Sequence, residues 1–275
     1  LPVLTGDPAV ERVTRVYRLS TELVGHTDFQ VGEGAIHDFL AAYQAQAPLS
    51  MGELWAMPSM LRAALINALC PLTYRVHARM RERELADFWA NRLLASLDAR
   101  PVETAAMIAE MSRSIPRPGP HFAVQLIGHL HDEEAALTPA QAWLEQALEK
   151  PLVEIVAQDQ QGQTADRVSI ANAVGSLREF ARLDWRGIFE HQSRVEKLLL
   201  DDPAGGYSRM QFATRDVYRH VVEKLALRSP RSEEEVAQAV VRMADAAPPS
   251  EDVRLRHVGY YLLDAGRPRI EEEVE

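Results

Sequence analysis

The chain has 275 residues, of which 47% are hydrophobic and 25% are charged, as is usual for a globular protein. A formal net charge of −10 argues against a nucleic-acid partner, because a nucleic-acid-binding protein needs a basic face for the phosphates. With Cys70 as its single cysteine, the sequence can form neither a disulfide framework nor a thiolate metal cluster. Cys70 lies in an apolar run, and we expect its side chain to be buried.

Helical spacing of apolar residues recurs along the chain, whereas the period-two alternation of strands is nearly absent. The sequence therefore predicts an all-α fold of about eight to eleven helices, arranged as a multi-helix bundle or as stacked helical hairpins. We expect the first helix to begin near Pro8 and to end at Gly25, and the second to cover residues 34–46. No apolar run is long enough to span a membrane, and no signal peptide is recognisable.

The third helix has a clear start. Ser50-Met51-Gly52-Glu53 has the form of a capping box, in which the Ser hydroxyl and the Glu carboxylate accept hydrogen bonds from each other's backbone amides. Pro58 and the Cys70-Pro71 pair are expected to kink or break this helix, because proline has no amide hydrogen to donate. Pro101 is expected at the first position of a further helix.

A proline-rich segment, residues 114–120, cannot continue a helix and is interpreted as the main linker of the chain. We therefore predict two helical subdomains, residues 1–115 and 121–275, packed as one unit. The chain begins with Leu rather than Met and ends without a recognisable tail, so we interpret it as a segment of a longer protein.

Helix-start patterns continue in the second half. We predict starts at Thr138-Pro139-Ala140-Gln141, at Asp184, at a second capping box from Ser232 to Glu235, and at Ser250. Asp184 should cap a helix over residues 185–200, and Gly266 with Pro268 should end the last helix. The polar run 158–164 is interpreted as a loop.

Residues 202–226 stand out as a breaker-rich turn followed by a helix. We predict Thr214 as the N-cap of this helix. Val217, Val221 and Leu225, with Tyr218 and Val222 beside them, are predicted to form one wide apolar stripe. Arg215 and Arg219 would then lie on the opposite side of the helix.

Four side chains of this stretch are our candidates for an interface. Arg215 and Arg219 are like charges at positions i and i+4, a mildly destabilising pair by itself. Either both are solvated, or they face an acidic partner elsewhere in the fold or on another surface. Arg209 precedes them, and Tyr207 follows two glycines, where it is either a contact residue or a buried anchor.

The sequence contains no self-contained catalytic motif, such as a phosphate-binding glycine loop, HExxH or GxSxG. We assign no catalytic, cofactor-binding or metal-binding residue and no cofactor. One alternative is a metal phosphohydrolase of the HD type centred on His131 and Asp132, with His129 beside them. A second is a glucan-binding module that uses Trp185 or the Tyr260-Tyr261 pair for stacking.

A series of motifs, in this order, resembles the N-terminal, pre-membrane region of the cyclic β-1,2-glucan synthases. The motifs are Gly25-His26-Thr27-Asp28, Ala42-Tyr43-Gln44, Pro48-Leu49-Ser50-Met51-Gly52-Glu53-Leu54-Trp55-Ala56-Met57-Pro58, Met60-Leu61-Arg62, Ser176-Leu177-Arg178, Asp184-Trp185-Arg186, Asp202-Pro203-Ala204-Gly205, Met210 with Phe212-Ala213-Thr214-Arg215-Asp216, Tyr218-Arg219-His220-Val221-Val222-Glu223 and His257-Val258-Gly259-Tyr260-Tyr261-Leu262.

This resemblance implies a segment of a large bacterial inner-membrane enzyme, with a membrane-embedded glucosyltransferase that uses UDP-glucose and a C-terminal domain similar to glycoside phosphorylases. The segment would lie on the cytoplasmic face of the inner membrane, with the transferase domain of the same chain as its partner. Glucan or UDP-glucose would be met only through the parent enzyme. The resemblance thus implies a non-catalytic helical scaffold or regulatory region.

Overall fold

A computed structural model describes residues 13–97, 101–248 and 253–275, and in these residues it contains helices and no strand. The predicted all-α class is confirmed. The described residues form thirteen α-helices and two short 3₁₀ segments, slightly more than the predicted eight to eleven helices.

The helices follow one another with short connections. In chain order they are α1 (Arg15–His26), α2 (Glu33–Gln44), α3 (Met51–Leu97), α4 (Pro101–Ser114), α5 (Pro120–Leu130), α6 (Glu134–Leu148), α7 (Leu152–Phe180), α8 (Trp185–Gln192), α9 (Arg194–Leu200), α10 (Phe212–Ala226), α11 (Glu233–Asp245), α12 (Val258–Leu263) and α13 (Arg267–Val274). The 3₁₀ segments are Tyr207–Arg209 and Val253–Arg256.

The contacts divide the chain into two compact units, which we describe separately. Unit 1 combines the described residues of Leu1–Ala64 with those of Ser176–Glu275, and unit 2 is formed by those of Leu65–Gly175. The proline-rich segment 114–120, at which we predict a subdomain boundary, lies inside unit 2 between α4 and α5.

Unit 1 buries the apolar faces of α1, α2 and α9 to α13. Side chains with less than 2% exposure include Val16, Ile36, Leu61, Leu199, Val222, Val240 and Tyr261. The turn after α1 is joined to the first residue of the unit's second segment: the Val31 amide donates to Ser176 Oγ (2.8 Å), and the Ser176 hydroxyl donates to the Phe29 carbonyl (2.7 Å). These bonds satisfy the Val31 amide and the Phe29 carbonyl, which lie beyond the end of α1.

Unit 2 has an apolar core of its own. The latter part of α3 supplies Trp89 and Leu93, α4 supplies Met111, and α5 supplies Phe122 and Leu126, all at 4% exposure or less. α6 adds three small or branched side chains on one face, Ala136, Ala140 and Leu144, which are fully buried. Their spacing of four residues is that of a helical stripe packed against a neighbour.

Both capping boxes are confirmed. At α3, the Ser50 amide donates to Glu53 Oε2 (3.0 Å) and the Glu53 amide donates to Ser50 Oγ (3.3 Å). At α11, the Ser232 amide donates to Glu235 Oε2 (2.8 Å) and the Glu235 amide to Ser232 Oγ (3.2 Å). Pro101 begins α4 as predicted, while the predictions at Pro8 and Ser250 lie outside the described residues.

Several predicted breaks do not interrupt helices. α3 is continuous through Pro58 and Pro71, and next to Pro71 the Cys70 carbonyl accepts a bond from the Thr73 hydroxyl (2.7 Å). Cys70 is exposed, so the prediction of a buried thiol is wrong. The polar run 158–164 is not a loop but belongs to α7, since polar residues can cover the outer face of a helix.

Other helix ends are displaced from their predicted positions. α6 begins five residues before Pro139, at Glu134, so the Thr138 start is wrong. The helix predicted over 185–200 is divided at Ser193, whose hydroxyl caps α9 by accepting from the Glu196 amide (3.2 Å). Pro268 does not end the last helix but lies in the first turn of α13, where its missing N–H costs nothing.

Candidate functional site

The buried carboxylate of Glu196 is the centre of a polar cluster in unit 1. The Ser193 cap starts α9 and places Glu196 in its first turn, at 1% exposure. Glu196 Oε2 accepts from the Tyr207 hydroxyl (2.7 Å) and from Arg219 Nη1 (2.6 Å), and Oε1 accepts from Arg215 Nη1 (2.5 Å). We call these four residues, with Glu190 and Asp216, the Glu196 cluster.

Two further carboxylates, those of Glu190 and Asp216, accept hydrogen bonds from the same arginines. Glu190 accepts from Arg215 (2.9 Å) and from Arg219 (3.3 Å), and Asp216 accepts from Arg219 Nη2 (3.2 Å). The cluster therefore holds three carboxylates and two guanidinium groups. Because each cation faces more than one anion, the arginines act as crosslinks among α8, α9 and α10.

The structure places Arg219 on the opposite side of α10 from the one we predict. Arg219 is 1% exposed and lies over the ring of Phe212 at 4.6 Å, whereas Val217 of the predicted apolar stripe is 52% exposed. Gln211, rather than Thr214, precedes the first residue of the helix. The alternative in which both arginines are solvated is wrong, and their acidic partners lie elsewhere in the fold.

Burial and the contacts with Glu196 shift the pKa values of two residues of the cluster, Tyr207 and Arg219. Burial, together with the Glu196 charge, raises the pKa of the Tyr207 hydroxyl far above its ordinary value, so this hydroxyl stays protonated and donates. Burial alone would lower the pKa of Arg219, but its hydrogen bond and charge interaction with Glu196 outweigh burial and raise it.

A second polar cluster, around Asp202, holds the turn that precedes Tyr207. Asp202 Oδ2 accepts from the amides of Gly206 (2.8 Å) and Tyr207 (3.1 Å), and it pairs with His257 Nδ1 (2.8 Å). Oδ1 accepts from the amide of Val258 at the start of α12 (2.9 Å). Gly205 adopts a left-handed φ of 63° in this turn, which favours glycine. Asp202 thus connects the turn before α10 to α12.

The pKa of Asp202 reflects these bonds. Burial would raise the pKa of this carboxyl, but the hydrogen bonds from His257, Val258 and Tyr207 stabilise the charged form and hold the pKa below its ordinary value. The carboxyl is therefore ionised at neutral pH, where it can accept all its hydrogen bonds.

Of the four predicted interface residues, the structure brings three together. Tyr207, Arg215 and Arg219 converge on Glu196, and the exposed Arg209 takes no part. Tyr207 is fully buried, which agrees with its role as an anchor; an interface role for the four residues stays a prediction. Roles for Glu190, Glu196 and His257 were not predicted from the sequence, although an acidic partner was one alternative for the paired arginines.

Unit 1 also contains a cavity of about 310 Å³, lined by the N-terminal residues of α3, α9 and α11. Two ion pairs line it, and a third carboxylate, that of Glu233, accepts a backbone hydrogen bond. Arg15 Nε donates to Glu53 (2.8 Å), Arg194 to Glu234 (3.1 Å), and the Met51 amide to Glu233 (2.8 Å). Burial, with the neighbouring charges of Glu223 and Glu53, raises the pKa of Glu233.

The histidine candidates belong to unit 2, and the aromatic candidates belong to unit 1. His131 and Asp132 contact each other at 74% and 86% side-chain exposure, and His129 pairs with Asp87 (2.7 Å). Across residues 13–97, 101–248 and 253–275, no three His, Cys, Asp or Glu side chains are grouped so that they could hold a metal ion. Tyr261 is buried, with its hydroxyl donating to the Met243 carbonyl (3.1 Å).

Among the described helices, none has the length and apolar character that a membrane crossing requires.

Comparison with known proteins relates the chain to a much larger enzyme. No family model matches the sequence. Over 286 aligned residues the chain is 28% identical to the cyclic beta-(1,2)-glucan synthase NdvB of Rhizobium meliloti (strain 1021). The match covers 100% of this chain and 10% of that protein. The chain is therefore related, over its whole length, to a segment of a cyclic β-1,2-glucan synthase.

Proposed function

We propose that this chain is a non-catalytic helical scaffold of a membrane glucosyltransferase that makes cyclic β-1,2-glucan from UDP-glucose. The observation that carries the proposal is the similarity of the entire chain to one tenth of a cyclic glucan synthase. The remaining nine tenths of such an enzyme leave ample room for separate catalytic domains.

The way in which Glu196 and Asp202 are paired supports a structural role for these two carboxylates rather than a catalytic one. An active site commonly keeps an acid or a base with a perturbed pKa next to a space that substrate can enter. Here Glu196 has three hydrogen-bond donors from its own chain, and Asp202 has four partners. Both carboxylates are at most 5% exposed, so their bonds stabilise the fold and do not face solvent.

The motif series supports a position ahead of the membrane helices of the parent enzyme. In this proposal the chain lies on the cytoplasmic face of the bacterial inner membrane and contacts the membrane-embedded transferase domain of the same polypeptide. A phosphorylase-like domain would follow at the C-terminal end. Any contact with glucan or UDP-glucose would then be made by the parent enzyme.

An assay of the isolated chain tests whether the scaffold is non-catalytic. The 275-residue chain is incubated with radiolabelled UDP-glucose, with or without linear β-1,2-glucan as acceptor, beside membranes that contain the complete NdvB synthase. We expect labelled glucan from the membranes and none from the isolated chain. Transfer of glucose, or hydrolysis of UDP-glucose, by the isolated chain would contradict the proposal.

A further inference from the structure

Unit 2 contains a cavity of about 280 Å³ whose charge is opposite in sign to that of the whole chain. It is bordered by the middle of α3, the start of α5 and the middle of α7. Its lining includes the side chains of Arg79, Arg83, Arg167, Asp166, His121 and Met80. Three arginines thus line the cavity with one aspartate, in a chain of net charge −10.

The single carboxylate that lines the cavity, that of Asp166, is already paired with two arginines. Asp166 is 6% exposed; Arg75, outside the cavity, donates to its Oδ1 from Nη2 (2.7 Å), and Arg79 contacts its Oδ2. The hydrogen bonds from Arg75, with that from Arg79, outweigh burial and hold the pKa of Asp166 below its ordinary value. Asp166 therefore stays ionised and holds the Arg79 guanidinium in place at the wall of the cavity.

The other two arginines are not neutralised in this way. Arg83 and Arg167 line the same cavity from α3 and α7, and neither forms an ion pair within the part of the chain that the structure describes. Two guanidinium groups that face one cavity repel each other unless an anion lies between them. The cavity thus carries an unbalanced positive charge.

The rest of the cavity lining includes both polar and apolar side chains. His121 Nδ1 is engaged by Asp159 (3.1 Å), whose Oδ2 also accepts from Gln163 (2.8 Å), and this fixes the imidazole at the edge of the cavity. Val76 and Met80 line the cavity from α3 at 38% and 59% exposure. A ligand that fits this lining would carry an anionic group and a small apolar group.

We propose that this cavity binds a small phosphomonoester, with the phosphate between Arg83 and Arg167 and the organic group against Val76 and Met80. Phosphate suits the site because guanidinium groups bind its oxygens through paired, charge-assisted hydrogen bonds. The volume admits a phosphate with one small ring. The inference is independent of the proposed scaffold function, since it concerns unit 2 residues that the similarity does not single out.

Titration calorimetry on the full 275-residue chain tests the site, with inorganic phosphate and phenyl phosphate as probes at fixed low ionic strength. We expect saturable binding of both, with phenyl phosphate the tighter ligand. Replacing either cavity arginine, in Arg83→Gln or Arg167→Gln, should weaken both probes about tenfold, because each loses a hydrogen bond between charged groups. Met80→Ala should weaken phenyl phosphate alone.

Arg81→Gln is the matched control, since Arg81 is an exposed arginine of the same helix that does not line this cavity. Its affinity for both probes should equal that of the unchanged chain. Equal losses in Arg81→Gln and Arg83→Gln would indicate diffuse charge attraction and overturn the proposal, as would the absence of saturable binding of either probe. Circular dichroism of each variant verifies that these exposed substitutions leave the fold intact.

Discussion

Arg219 and Glu196 are each 1% exposed and in direct contact, so each is a counter-ion of the other inside the protein. Removing both charges together is often tolerated in a protein interior, whereas removing one leaves the other without its counter-ion. Glu196 is the more critical of the two, because it also accepts the bonds of Tyr207 and Arg215.

Glu196→Gln should therefore lower the free energy of unfolding of unit 1 by about 3 kcal/mol, the range measured when one partner of a buried ion pair is removed. Urea unfolding followed by circular dichroism measures this loss. The control is Glu271→Gln, which removes the half-exposed partner of Arg267 in α13 and should cost less than about 0.5 kcal/mol. Equal effects of the two variants would mean that the cluster contributes no more than a surface pair.

Asp202 predicts a pH dependence with a definite sign. Its pKa in the folded protein is below the ordinary value of about 3.9 for an unfolded chain, so its contribution is complete above that value. As the pH falls through the folded pKa, the carboxyl becomes protonated and the contribution is lost. Asp202→Asn should thus destabilise the protein by about 2 kcal/mol at neutral pH, and the difference should shrink at low pH.

Unfolding in urea at a series of pH values from neutral to acidic measures this difference. Asp245→Asn serves as the control, because Asp245 is 73% exposed and pairs with Arg256 only at 3.6 Å. Its difference from the unchanged chain should be small at every pH. A constant difference for Asp202→Asn down to low pH would show that the Asp202 carboxyl titrates alike in the folded and unfolded chains.

The same residues show which part of the site can be predicted from sequence. The like charges at Arg215 and Arg219 left both solvation and an acidic partner open, and the structure shows acidic partners within the fold. They could not identify Glu196, because that partner lies on a different helix and no local pattern connects the two. Of the predicted apolar face of α10, Tyr218, Val222 and Leu225 are buried, whereas Val217 is 52% exposed. The paired Arg219 occupies a buried position that periodicity reserves for an apolar side chain.

At the scale of elements, the short α12 shows how closely unit 1 is packed. A Cβ atom at Gly259 would lie 2.6 Å from Tyr218 Oη and 3.0 Å from His257 Nε2. Tyr218 is 8% exposed, so its ring has little room to move away. Glycine at this position therefore permits the contact between α12 and α10.

Gly259→Ala should destabilise unit 1 by about 2 kcal/mol, as extra atoms in a well-packed site usually do. Thermal and urea unfolding both measure this loss. Gly25→Ala is the control: it is a helical glycine of α1 with nothing within 4 Å of an added Cβ, and it should be neutral or stabilising by up to about 1 kcal/mol. Stability unchanged in Gly259→Ala would mean that α12 does not pack against Tyr218 in solution.

Helix starts were predictable where a local bond creates them, and helix interiors were less so. The capping boxes at Ser50 and Ser232 involve residues three positions apart and can be identified from sequence alone. The 158–164 run was misassigned because its polar residues form one face of the long α7, whose other side chains include the buried Asp166. Composition cannot distinguish such a face from a loop.

At the scale of the whole molecule, the sequence similarity and the charge pairing support the same function. The chain matches a tenth of a cyclic glucan synthase, and its most buried carboxylates are paired within its own fold. The motif series allowed the family to be predicted because several of its motifs are long. The proposed contact with a transferase domain is not encoded in any local pattern, since such a contact depends on the surface of another domain.

The most direct test of the scaffold function is glucan synthesis from UDP-glucose by membranes, per mole of synthase protein, for three forms of NdvB. The forms are the natural enzyme, a deletion of the segment that this chain matches, and a chimera in which this chain replaces that segment. We expect the deletion to lose synthesis and the chimera to restore it. Undiminished synthesis by the deleted enzyme would contradict a supporting role for this segment.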